Sequence, residues 1–217
     1  MIKLKERLSR VFSEVPEGSV VADIGADHGK LSASLIETKR ATRVIAVDIS
    51  ADSLSKTEEL SKKLGIEIDA RVGDGLTAIS KEDGVDVVVI AGMGGYEIMK
   101  ILSSAKITFD RYILLPHQNA KELRQFVKDK FFIEKDYVVK ENGKYYSLIV
   151  LTKGTSDLTE TDVELGKDLT SVLAVEMLTE RLKKYKKYIK NVQNIEEKEE
   201  MQSKIAMIER VLICQKQ

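Results

Sequence analysis

The chain has 217 residues, 43% apolar and 32% charged, with 35 Lys and Arg balanced by 35 Asp and Glu. That length carries one large domain, or one of about 150 residues with an appendage; the zero net charge excludes a globally basic nucleic-acid binder, so any such role rests on a local patch. A single cysteine, Cys214, excludes an internal disulfide and a cysteine-held metal cluster and suits a reducing cytoplasm, and no run of about 18 apolar residues is present to span a membrane.

The N-terminal stretch "MIKLKERLSRVFSEV" places Leu4, Leu8, Val11 and Phe12 at helical spacing between charges, which predicts an amphipathic helix rather than a signal peptide. Strand-like and helix-like segments then alternate. "GSVVADIG" predicts a buried strand followed by a helix over 29–38, and "RVIAVDIS" (43–50) a second strand before the helix "ADSLSKTEELSKKLG". "IEIDARVGDG" (66–75) predicts the third strand, and "VDVVVIAGMGG" (85–95) the fourth, with a helix through Leu102. "RYILLP" (111–116) is the fifth, ahead of the helix "NAKELRQFVKDKF". Continuous Val/Ile runs separated by helices argue for a parallel sheet covered on both faces.

"FFIEKDYVVKENGKYYSLIVLTKG" (131–154) changes the pattern to two β-rich runs joined at Asn142-Gly143, an antiparallel hairpin closing the sheet. From residue 157 there is no proline and one glycine, Gly166. Apolar residues at 165, 169, 172, 175, 178, 182, 185, 189 and 192 keep steps of three and four, and a second series runs through Met201, Ile205, Ile208 and Leu212. Two long helices folded as a coiled-coil-like hairpin follow. The expected architecture is a Rossmann-like α/β domain over 1–154 and a helical hairpin over 155–217.

The chemistry starts at "VVADIGADHGKL" (20–31). Dinucleotide-binding loops set a pyrophosphate on G-x-G-x-x-G, where the middle glycine admits the ligand backbone. Here Asp27 stands in that place, between Gly25 and Gly29, with Asp23 before and His28 after. A carboxylate there repels a pyrophosphate and suits a cationic ligand; S-adenosylmethionine carries both an ammonium and a sulfonium. Asp48, 25 residues after Asp23 at the end of strand two, is placed to accept from ribose hydroxyls, with Ile49 next to it. Asp74, with Gly75, ends strand three, where it would meet an adenine amino group. A lone terminal Asp is commonly a helix cap, but three in successive loops at one sheet edge point to an adenosine-containing cofactor.

"AGMGG" (91–95) follows strand four, where Gly92, Met93, Gly94 and Gly95 suggest backbone closely approached by cofactor or by a flat base, against the alternative of a tight strand-to-helix turn. The [DNS]-P-P-[YF] motif of many exocyclic-amine methyltransferases is absent. "LLPHQNAKELR" after strand five offers His117 at a pocket rim, and Asn119 reads first as the N-cap of the next helix. "RLKKYKKYIK" (181–190) holds six basic residues, Arg181, Lys183, Lys184, Lys186, Lys187 and Lys190, with Tyr185 and Tyr188 interleaved. This is a phosphate-binding stripe or a solvated helix face, within a tail of 11 basic and 12 acidic residues.

"DIGADHGKL", "AGMGGYEIMKIL", "NAKELRQFV" and "KENGKYYSLIVL", followed by the helical hairpin, resemble the bacterial tRNA (adenine(22)-N1)-methyltransferase family (TrmK) over nearly the full chain. The resemblance implies a Rossmann-like domain binding S-adenosylmethionine, a C-terminal coiled coil that helps hold tRNA, and methylation of adenine 22. It carries cofactor contacts onto Asp23, Gly25, Asp27, His28, Asp48, Asp74 and Gly92 to Gly95. The chain departs from the family at Leu115-Pro116-His117, where Gln-Pro-Asn is usual, at Ser147, where a glutamate is common, and at Gly29, where alanine is frequent. N1 lies on the Watson–Crick edge, so the base must be unpaired and flipped out. His28, His117 and Asn119 are the candidates for substrate-side chemistry, and no metal is expected. The competing readings are a methyltransferase for a small molecule or protein whose tail drives oligomerisation, and a non-catalytic nucleotide-binding module.

Overall fold

The computed structural model describes residues 2–215. One seven-stranded sheet runs in the order β3-β2-β1-β4-β5-β7-β6. Its first five strands, β1 (Ser19–Ile24), β2 (Ala41–Asp48), β3 (Asp69–Val72), β4 (Val87–Ala91) and β5 (Arg111–Leu115), are parallel. β1, β4 and β5 are buried along almost their whole length because helices cover both faces, the setting in which unbroken Val/Ile runs are stable. β3 is shorter than its sequence pattern predicts: it is an edge strand with β2 alone as partner, and only 69–72 find that pairing.

The connecting helices are α1 (Glu6–Glu14), α2 (Lys30–Glu37), α3 (Ala51–Leu64), α4 (Gly95–Ser104) and α5 (Ala120–Val127). Two apolar clusters fill the two faces. One groups Ile24, Val47, Ile90, Ile98 and Leu114 with α4 and α5; the other groups Val11, Leu31, Leu35, Val89 and Leu115 under α1 and α2. β6 (Phe131–Glu141) and β7 (Lys144–Lys153) form the antiparallel hairpin on β5. Both turn residues are left-handed, Asn142 at φ 50° and Gly143 at φ 72°, as a two-residue turn matched to strand twist requires.

The tail departs from the expected pair of long helices. A short α6 (Glu160–Leu165) ends at Gly166, and α7 (Val172–Tyr188) starts only after Ser171 caps it by accepting from the Ala174 N–H. A short 3-10 turn links α7 to α8 (Ile195–Cys214). The break has a tertiary cause. Arg124 of α5 and Asp136 of β6 form a buried bidentate pair (Nε to Oδ2 2.7 Å, Nη2 to Oδ1 3.0 Å). Residues 166–168 wrap over it, the Lys167 N–H donating to the Asp136 carboxylate at 3.2 Å and the Asp168 N–H to the Asp136 carbonyl at 3.0 Å. Gly166, at φ 106°, lies so close that a Cβ would stand 3.0 Å from Arg124 Nη2. Arg124 also donates to Ser147 Oγ at 2.7 Å, the position where the family resemblance leads one to expect glutamate. On both sides of the break and within it, Leu165, Leu169, Ala174, Leu178 and Ile208 pack on Val138 of β6, so the tail rests directly on the hairpin.

Candidate active site

The carboxyl ends of β1, β2, β4 and β5 open into a cleft of about 720 Å³. It brings together Asp23, Gly25, Asp27, His28, Asp48, Ile49, Gly92, Met93 and His117, and adds Lys3, Lys5, Arg7, Glu97 and Glu141, which the spacing of motifs does not reveal. This is the edge at which open α/β sheets bind ligands.

Asp23 ends β1 and is 4% exposed. Its carboxylate accepts from Ser32 Oγ at 2.6 Å but pairs with no cation among the described residues, and burial raises its pKa to about 6. The glycine loop above it is tied to β2: the Gly25 and Ala26 N–H groups donate to the Val47 carbonyl at 2.7 and 3.2 Å. Asp27 takes φ 50°, a left-handed conformation that Asp tolerates better than most residues. Its N–H donates to Asp48 Oδ2 at 3.2 Å, and its carbonyl accepts from Thr57 Oγ1 at 3.1 Å. The loop backbone is thereby fixed while the Asp27 side chain stays open to the cleft. His28 Nε2 stands 3.7 Å from Asp27 Oδ2, both side chains largely exposed. Asp48 also accepts from the Ser50 N–H at 2.9 Å, ahead of exposed Ile49.

The glycines sort by what surrounds them. Gly92, at φ 95°, has open space where a side chain would be and lines the cleft. A Cβ on Gly25 would meet the Met93 methyl at 2.1 Å, so Met93 lies across the glycine loop. Gly29, Gly75 and Gly95 instead admit protein: a Cβ would meet Thr57 at 2.5 Å, Ile101 at 3.0 Å and the Asn119 carbonyl at 2.4 Å respectively. Gly94 sits beside Gln118. Asp74 is exposed at the start of the 3-10 turn after β3, its carbonyl accepting from Thr77 Oγ1, outside the cleft lining.

Two backbone hydrogen bonds join the loops after β4 and β5, His117 N–H to the Met93 carbonyl (2.8 Å) and Gly95 N–H to the Gln118 carbonyl (2.9 Å). His117 stands on this joined rim with its surface largely open, and partial loss of solvent together with the nearby Arg7 charge lowers its pKa, favouring the neutral ring. Its ring lies 6.0 Å from that of Tyr146. Asn119 corrects the expectation of a side-chain cap: its backbone is left-handed (φ 61°), whereas capping requires an extended residue, and its side chain makes no cap hydrogen bond. It packs against Gly95 and does not line the cleft.

Arg7 closes the far side. Its Nε donates to Glu141 Oε1 at 2.8 Å and its N–H to Oε2 at 3.2 Å, and the guanidinium lies 4.4 Å from the Tyr146 ring centre. These partners are 134 residues apart in the chain, so no local signal could pair them. The basic stripe sits outside the cleft lining, on α7 and the turn that follows it. Lys186 pairs with Glu209 of α8 at 2.6 Å, Arg181 points at Met177, and Lys183, Lys184, Lys187 and Lys190 are exposed. Among the described residues, no cluster of His, Cys, Asp and Glu is arranged to hold a metal, and no helix is long and apolar enough to cross a membrane.

Residues 4–149 match the methyltransferase domain family. The tRNA (adenine(22)-N(1))-methyltransferase of Bacillus subtilis (strain 168) is 32% identical over 192 residues, covering 85% of this chain and 80% of that protein. The chain belongs to this tRNA (adenine(22)-N(1))-methyltransferase family. Solved structures carry the likeness through the tail. Sp1610 of Streptococcus pneumoniae aligns with a TM-score of 0.92 at 29% identity, over 97% of this chain and 100% of its own. M. capricolum TrmK, in complex with S-adenosylhomocysteine, aligns at 0.88 and 26% identity, over 96% and 97%. At that coverage α7 and α8 belong to the structure the family members share.

Proposed function

We infer that this chain is an S-adenosylmethionine-dependent tRNA methyltransferase acting on N1 of an adenine, at position 22 as in the B. subtilis relative. The observation that carries the reading is the cleft itself: a methyltransferase fold whose glycine loop is lined by carboxylates, in a chain of this family. The fit to a cationic cofactor rests on Asp23, a buried carboxylate with a hydroxyl for company and no positive partner among the described residues. When bound, the cofactor supplies an electrophilic methyl group on a sulfonium.

Asp27, backed by Asp23, would receive the ammonium; Asp48 and Ile49 would line the adenosine end, with Asp74 and Gly75 on the next loop, beyond the cleft lining; Gly92 leaves room along the backbone, while Met93 already lies across Gly25. Gly29, Gly94 and Gly95 would serve by letting the surrounding loops close up. Adenine N1 carries a lone pair in the neutral base, so no side chain has to remove a proton before transfer. What the protein must do is hold the ring edge-on and tolerate the positive charge that develops on it. His28 and His117 would do this at the rim, with neutral His117 adding no opposing charge, while Asn119 would set the spacing of the two rim loops. Lys183, Lys184, Lys187 and Lys190, with Arg181 and Lys186, would contact phosphates from residues 155–217, the part we assign to tRNA and set apart from the catalytic domain at 1–154.

The test is direct. Incubation with unmodified tRNA and S-adenosylmethionine, followed by reverse transcription, should give a stop at adenine 22, because N1 methylation blocks pairing. Read-through at that position in every tRNA tried would overturn the assignment.

A further inference from the structure

We propose that residues 3–8 form the tRNA-side wall of the cleft, with Lys3 and Lys5 receiving backbone phosphates beside the target base and Arg7 holding the segment in place. The proposal rests on the tRNA-methyltransferase reading and adds a contact surface to it, separate from the α7 stripe.

The segment is tied at both ends. The Ile2 N–H donates to Glu37 Oε2 at 2.9 Å, and Arg7 is clamped twice by Glu141 while stacking on Tyr146. Glu141, with its side chain 8% exposed, absorbs the Arg7 charge, so Arg7 acts here as a positioning residue rather than as a contact for substrate. Glu6, the acid next to the lysines, is itself engaged by Arg10 at 3.0 Å. Lys3 and Lys5 line the cleft and are exposed, and neither forms an ion pair with a carboxylate of the described residues, although Lys5 is near enough to help Arg7 hold the Glu141 carboxyl below its usual range. Away from the strap the cleft carries the carboxylates Asp27, Asp48 and Glu97, against one further lysine, Lys30. An RNA strand bringing a base to that surface meets repulsion unless cations flank the mouth, and a chain of zero net charge offers no general attraction instead. Two lysines on a fixed strap are point charges suited to phosphates. The cofactor carboxylate is the other anion within reach.

The double variant Lys3→Gln/Lys5→Gln separates these. We expect tRNA affinity to fall about tenfold at low salt, and the slope of log affinity against log salt to become shallower by about 1.4 to 1.8, the release expected for two phosphates. Cofactor affinity should stay at the wild-type value, which also reports an intact fold. Lys81→Gln/Lys106→Gln removes the same charge at the opposite edge of the sheet and should leave the slope unchanged. Arg7→Lys should raise KM for tRNA by loosening the strap, with little change in cofactor affinity. An unchanged slope in the Lys3/Lys5 variant overturns the proposal, as does a loss confined to cofactor binding, which would assign the lysines to the cofactor carboxylate. Wild-type protein that leaves no mark on tRNA would instead refute the underlying assignment.

Discussion

Asp23 shows what a site residue costs the fold. Its folded pKa, raised to about 6 against an ordinary 3.8, means that the folded protein takes up a proton between those values while the unfolded chain does not. Stability from this group is therefore complete below pH 3.8 and lost as pH rises through about 6. The penalty at neutral pH is on the order of 3 kcal/mol. Asp23→Asn should abolish cofactor binding by calorimetry and yet raise unfolding stability at pH 8 by up to that amount, with the gain vanishing near pH 4. A variant equally destabilised at both pH values would show that the carboxylate is structurally required. Asp23, Asp27 and Asp48 were legible because each ends a strand pattern or replaces an expected glycine. Arg7, Glu141 and Tyr146 were not, since their proximity is created by α1 docking against the β6–β7 hairpin.

At the level of elements, the parallel strands and their helices were readable because buried strands leave unbroken apolar runs. The interruption of the first tail helix was not. Leu165, Leu169 and Val172 keep helical spacing across a stretch that is not helical, so periodicity carried no trace of it. The buried Arg124–Asp136 pair captures that backbone instead. Removing one partner strands a charge, and Asp136→Ala should lose about 3–5 kcal/mol in urea unfolding. Arg124→Met/Asp136→Leu should lose much less, because no charge is left behind. Gly166→Ala should cost about 1–3 kcal/mol, combining a left-handed φ with a Cβ pressed on the guanidinium. A neutral Gly166→Ala would mean that the wrap moves freely off the pair.

For the whole molecule, the same contact decides how separable the tail is. Cutting after residue 154 removes the N–H groups that satisfy Asp136 and uncovers Val138. That truncation should lower Tm and weaken cofactor binding along with tRNA binding. Ending the chain after Thr170 keeps Lys167 and Asp168 on Asp136 and removes α7, α8 and the turn between them, with the part of the apolar cover they give Val138. This version should bind cofactor at near wild-type affinity in calorimetry and lose tRNA in a gel-shift assay. Equal cofactor affinity in both truncations would show residues 155–170 to be dispensable for the catalytic domain.

The two backbone hydrogen bonds between the Met93–Gly95 and His117–Gln118 loops have a kinetic consequence. Loop amides ordinarily exchange with solvent deuterium quickly and independently, but each of these loops carries the other's acceptor. The Gly95 and His117 amides should therefore exchange at one shared rate, slower than that of the Asp27 amide, whose acceptor is the half-buried side-chain carboxylate of Asp48 at the cleft surface. The rim that carries His117 and the floor that carries Gly92 then open together or stay shut together. On the proposed reading, a methylated base would leave through the mouth, past Lys3 and Lys5, without the loops parting beneath it.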